Sequence, residues 1–89
     1  MSHTPDSALA AAFAAKRDEA RLTLRGHMQA RGLLEKDGWR IVETVRHREG
    51  RTELVLRPMH LRLDAPPNLE CVVAIEEPGW DITADCVTS

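Results

Sequence analysis

Between Trp39 and Leu63 the chain reads WRIVETVRHREGRTELVLRPMHLRL. Alternating β-formers on both sides of one glycine constrain this stretch to an antiparallel hairpin, around which everything else must pack. A two-residue loop at Glu49-Gly50 sets residues whose numbers sum to 99 opposite one another. Val45 then meets Leu54 and Arg46 meets Glu53, so apolar faces apolar and opposite charges meet. A slip of one residue loses both matches.

The second arm changes frame. Leu54 and Leu56 are even-numbered, whereas Met59, Leu61 and Leu63 are odd, and strand side chains alternate strictly. Holding all five on one face requires an extra residue, and Arg57-Pro58 is where the chain would place it, because proline cannot donate to a central ladder. The pattern therefore predicts a bulge or sharp bend at Arg57-Pro58 that divides the arm into two strands; a short loop there is the alternative.

Before the hairpin, Thr4-Pro5-Asp6-Ser7 is a helix start, with Thr4 as cap, Pro5 in the first turn and Asp6 complementing the helix dipole. Strong helix formers continue to Lys36, and Asp37-Gly38 is a stop. The expectation is one long helix over residues 5–36, continuous or kinked near Gly26 or Gly32. At about 1.5 Å per residue it would overhang a sheet of eight-residue strands, which leaves its Ala-rich first half for a second subunit or for solvent.

After the hairpin, Asp64-Ala65-Pro66-Pro67-Asn68 is a loop. Leu69, Cys71, Val73 and Ile75 alternate with Glu70, Val72, Ala74 and Glu76 as a strand, Pro78-Gly79 is a turn, and Trp80, Ile82, Ala84 and Cys86 mark a last strand. The chain is thus a single α+β domain over 1–89, one long N-terminal helix packed on a curved four- to five-stranded antiparallel meander over 39–87. Its core would comprise Trp39, Ile41, Val45, Leu54, Leu56, Met59, Leu61, Leu63, Leu69, Cys71, Val73, Ile75, Trp80, Ile82 and Cys86.

A lone two-layer domain of this kind should carry only polar residues on its other sheet face. Instead Val42, Val55, Val72 and Val87 fall there, rimmed by Arg40, Arg46, Arg57 and Arg62. An apolar patch ringed by charge is a candidate interface for self-association or for another protein; the plain alternative is that valine suits strands and arginine stems cover it.

A second class of reading is a small-molecule pocket between helix and curved sheet, with His27, Glu43, Trp39 and Trp80 as lining. His27 and Glu43 each interrupt an apolar face and could act together as acid and base, but no nucleophile or oxyanion motif accompanies them, so no catalytic residue is assigned. No cofactor motif or metal-ligand spacing is present.

Charge is uneven. All twelve Lys and Arg lie within residues 16–62; residues 1–62 hold eight acids and so carry +4, while residues 63–89 hold six acids and no base, or −6. Ten of the twelve bases are arginine, which would suit phosphate contacts, but a net charge of −2 with one Phe and no Tyr argues against a nucleic-acid binder. No apolar run is long enough to cross a membrane, and the composition points to the cytoplasm. Taking Pro78-Gly79 as a two-residue loop sets Cys71 opposite Cys86, within reach of a disulfide, although a cytosolic pair would act as two buried thiols. The same register opposes Glu76 and Asp81, an acidic pair that wants a cation or a basic partner.

Overall fold

The computed structural model describes residues 5–62, 68–76 and 81–88. Helix α1 (Pro5–Ala30) is followed by a 3₁₀ turn at Glu35–Asp37 and by four strands, β1 (Trp39–Arg48), β2 (Arg51–His60), β3 (Leu69–Glu76) and β4 (Asp81–Thr88). The strands form one open antiparallel sheet in chain order, and α1 packs on one face of it. The α+β expectation holds, with four strands. Thr4, Leu63, the 63–67 loop segment and the Pro78-Gly79 turn with Trp80 lie outside the described residues.

The helix is shorter than the expected 5–36. It ends at Ala30 because Gly32 takes a positive φ of 75°, which lets Leu33 N–H return to the Met28 carbonyl at 2.8 Å and Gly32 N–H to that of Gln29 at 3.1 Å. This glycine-terminated cap satisfies two of the last carbonyls. Gly26 stays inside the helix. Gly38, at φ 103°, then closes the 3₁₀ turn and aims the chain into β1.

Strand β1 pairs with β2 from Arg48↔Arg51 to Trp39↔His60 without interruption. The predicted bulge at Arg57-Pro58 is therefore absent: Ile41 pairs with Pro58 and Val42 with Arg57. The reason lies in which side of β2 the proline faces. Counting alternately from the Glu49-Gly50 loop, Ile41↔Pro58 is a pair that exchanges no hydrogen bonds, so the missing N–H would have pointed away from β1. On that other side the β2–β3 ladder has already ended, at Leu56↔Cys71. Proline ends the β3 pairing and leaves the β1 pairing whole.

Without a bulge, the side chains keep strict alternation, and Met59 and Leu61 do not join the core: they are 46% and 73% exposed. Pro58 takes the buried place instead. Val45 keeps its expected face but is 56% exposed, because α1 lies over β2, β3 and β4 and does not reach the loop end of β1. The core joins Ala20, Leu24 and Met28 of α1 to Leu54 and Leu56 of β2 and to Leu69, Cys71 and Val73 of β3. Phe13, Leu33, Trp39, Ile41, Ile82 and Cys86 pack around it. Each large buried side chain contributes about 1.5–3 kcal/mol before ordering entropy.

His60 seals one end of this core. Its ring stands edge-on to Trp39 at 5.0 Å, and its Nε2 lies 2.8 Å from the Asp37 carbonyl while Arg62 N–H donates to Nδ1 at 2.9 Å. An N–H can only donate and a carbonyl only accept, so Nε2 carries the ring proton. A Cβ on Gly38 would come within 3.1 Å of that ring. Replacing Gly38 by Ala should thus destabilise the fold by about 1–3 kcal/mol through positive φ and the His60 clash. Gly26→Ala, with nothing near the new methyl, should stabilise by about 0.5–1 kcal/mol. Urea unfolding of both variants checks the opposite signs.

Candidate functional site

The register fixes which residues share the sheet face turned away from α1, and they fall into rows. Nearest the β1–β2 loop, Arg48, Arg51, Glu76 and Asp81 run across β1 to β4. Next come Arg46, Glu53, Ala74 and Thr83, then Thr44, Val55, Val72 and Asp85. In the fourth row Val42 pairs with Arg57 and Glu70 with Val87, and Arg57 Nε lies 3.7 Å from Glu70. Arg40 and Met59 form the last pair. No described element covers this face.

All four predicted valines lie on it, in unequal states. Val55 is already buried, Val72 is half-buried, and Val42 and Val87 are 41% and 56% exposed. Exposed Met59, expected in the core, adds to their apolar surface. Of the predicted rim, Arg46 and Arg57 are on the face. The Arg40 guanidinium donates to the Glu35 and Trp39 carbonyls at 3.0 and 2.8 Å, so it fastens the 3₁₀ turn to β1. Arg62 lies past the end of β2.

Glu53 is the hub that sequence reasoning did not single out. It is only 6% exposed on a face open to water, because three arginines close over it: Arg46 Nε at 2.7 Å, Arg51 Nε at 2.8 Å and Arg48 Nε at 3.7 Å. The signal was present as three arginines flanking the hairpin loop opposite a single central carboxylate. The hydrogen bond from Arg51, then that from Arg46, holds the Glu53 carboxyl below the ordinary glutamate range, against burial, which works the other way. Arg51 also donates to Glu76 at 2.6 Å, so the acidic Glu76↔Asp81 pair finds a basic partner within the chain. Asp81 and Asp85 make no ion pair among the described residues. With Arg46, Arg48, Arg51 and Arg57 engaged by carboxylates, this surface offers phosphates little uncompensated charge.

The other predicted site is rearranged. Glu43 accepts its bond from Arg21 of α1 and not from His27, because Arg21 and His27 sit about 120° apart around the helix at six positions' separation. A cleft of about 260 Å³ does open between the end of α1 and β1, lined by Arg21, Arg25, Met28, Leu33, Trp39, Arg40 and Ile41 among others. Of the three predicted lining residues that are described, His27, Glu43 and Trp39, only Trp39 is among those lining it; Trp80 lies outside the described residues. Among the described residues no group of three His, Cys, Asp or Glu could hold a metal ion, and no helix is long and apolar enough to cross a membrane.

Cys71 and Cys86 face one another in register and are joined as a disulfide, the pairing the register allowed, rather than remaining as two buried thiols. Because Cys71 directs its backbone groups toward Leu56 of β2, the Cys71↔Cys86 pair exchanges no backbone hydrogen bonds, and in such pairs side chains approach most closely. Their Cα atoms are 4.0 Å apart.

The Glu53 cluster sets a pH dependence. The unfolded chain takes up the proton at the ordinary glutamate pKa of about 4.3, before the folded chain does. The stabilisation is therefore complete above that pH and is lost as pH falls through the lower folded value. Glu53→Gln should be less stable than the parent at pH 7, and urea unfolding at pH 7, 5 and 3 should show the gap closing only at the acid end. A gap that stays constant to pH 3 would show that the carboxylate charge contributes nothing.

Compared with known protein families, curated proteins and solved structures, the chain matches none, so its surfaces are the ground for a functional reading.

Proposed function

We propose that the chain is a small protein-interaction module working as a homodimer or as a subunit of a larger assembly, with the sheet face opposite α1 as its contact surface. The observation that carries this reading is the combination of Val42, Val72, Val87 and Met59 with arginines and carboxylates on a face no described element covers. An isolated two-layer domain gains nothing by placing apolar side chains there, whereas an interface gains area at its centre and specificity at its rim. A cytoplasmic address belongs to the same reading. The Cys71–Cys86 bond is the observation that weighs against that address, since a cytosol keeps such thiols reduced.

Val72 is half-buried at the middle of the face, so Val72→Glu should abolish association while leaving the far-UV circular dichroism of the domain intact. Native mass spectrometry gives the readout. A variant that associates as the parent does would remove this face from consideration.

A second reading is favoured by the cleft beside Trp39. Three arginines, Arg21, Arg25 and Arg40, surround a floor of Met28, Leu33 and Ile41, a chemistry suited to an apolar molecule with an acidic head. Titration with medium-chain carboxylates should then give a saturable change in Trp fluorescence that Arg25→Glu removes; a flat titration rejects the pocket.

A further inference from the structure

The outer sheet face is divided electrically along the line between β2 and β3. The β1–β2 half carries four arginines, Arg46, Arg48, Arg51 and Arg57, and one acid, Glu53, a net +3. The β3–β4 half carries Glu70, Glu76, Asp81 and Asp85 and no base, −4. Halves of opposite charge restrict how a second copy could be laid on this face.

Two copies that meet face to face and close as a pair are related by a two-fold axis lying in the contact plane. An axis running across the strands would set β1 on β1 and β4 on β4, arginine on arginine and carboxylate on carboxylate. An axis parallel to the strands, between β2 and β3, sets β1 on β4 and β2 on β3 with the rows kept in step. Arg48 then faces Asp81 of the second copy, Arg51 faces Glu76 and Arg57 faces Glu70. Val42 faces Val87 and Val55 faces Val72. No row opposes like charges. Sheets packed this way keep their strands within about 30° of one another.

Resting on the interface reading above, we propose that the partner of this face is a second copy of the same chain, stacked through that strand-parallel two-fold, with Arg48 of each copy against Asp81 of the other. Arg48 and Asp81 are well suited to test it. Both are exposed, the strongest contact of Arg48 within its own chain is the 3.7 Å approach to Glu53, and Asp81 makes no ion pair among the described residues.

The experiment is a charge exchange. In a homodimer, Arg48→Glu alone sets carboxylate against carboxylate at both symmetry-related contacts, and Asp81→Arg alone sets guanidinium against guanidinium at both. A dimer with one copy of each variant pairs opposite charges at both contacts. Sedimentation equilibrium should show each variant self-associating about tenfold more weakly than the parent, and their equimolar mixture recovering to within about threefold. Recovery also shows that both variants fold. Weakened variants whose mixture does not recover would overturn the strand-parallel axis while leaving the face as an interface. So would variants that associate normally while Val72→Glu dissociates. A parent chain that is monomeric at high concentration overturns the second copy as partner and leaves the face to a different protein; if Val72→Glu associates as the parent does, both the proposal and the interface reading fail.

Discussion

Strict alternation along the β1–β2 ladder is the constraint from which the rest follows. Ten consecutive pairs run from the loop to Trp39↔His60, and a strand permits no change of face without an extra residue. Each residue of β2 is therefore committed either to α1 or to the opposite face. Leu54, Leu56 and Pro58 go to the helix side, while Glu53, Val55, Arg57 and Met59 go to the other. Because β3 and β4 add to β2 in fixed register, the same commitment sets which acids lie beside which arginines, and which cysteine lies opposite which.

Glu53 shows how that geometry becomes energetics. A carboxylate at the centre of a sheet face would ordinarily remain hydrated; here three guanidinium groups gather around it, and Val55 and Ala74 on the same face are buried. The arrangement narrows the apolar surface left for contact to Val42, Val72, Val87 and Met59. It also leaves Asp81 and Asp85, on the far edge, with no ion pair among the described residues. In the proposed pair, Arg48 of the second copy is the partner of Asp81.

Much of this was legible in the residues, because the informative signals were local. The Val45–Leu54 and Arg46–Glu53 matches located the hairpin register, the Cys71–Cys86 pairing followed from a second register, and parity alone placed the four valines on one face. What misled was the assumption that Met59 and Leu61 had to be buried because they are apolar. Their exposure follows from the unbroken alternation through Pro58, which directs them to the side away from Leu54 and Leu56. The end of α1 was misplaced for a related reason. Leu33 and Leu34 suit a helix, but Gly32 at positive φ caps it first, and Arg40 holds the 3₁₀ turn that follows. The Arg21–Glu43 bond depended on the rotation of the helix over the sheet, which the interrupted apolar stripe left open.

The central claim is that the divided face meets its own copy about a strand-parallel two-fold, and an isotope-filtered NOE experiment tests it directly. Adjacent strands lie about 4.8 Å apart, so Val42 on β1 and Val87 on β4 of one chain are roughly 14 Å apart, too far for a methyl contact within a chain. In a mixture of labelled and unlabelled protein, the account predicts a cross-chain NOE between the Val42 and Val87 methyls. A cross-chain contact from Val42 to Val42, or no contact between these methyls in an associated sample, would contradict it.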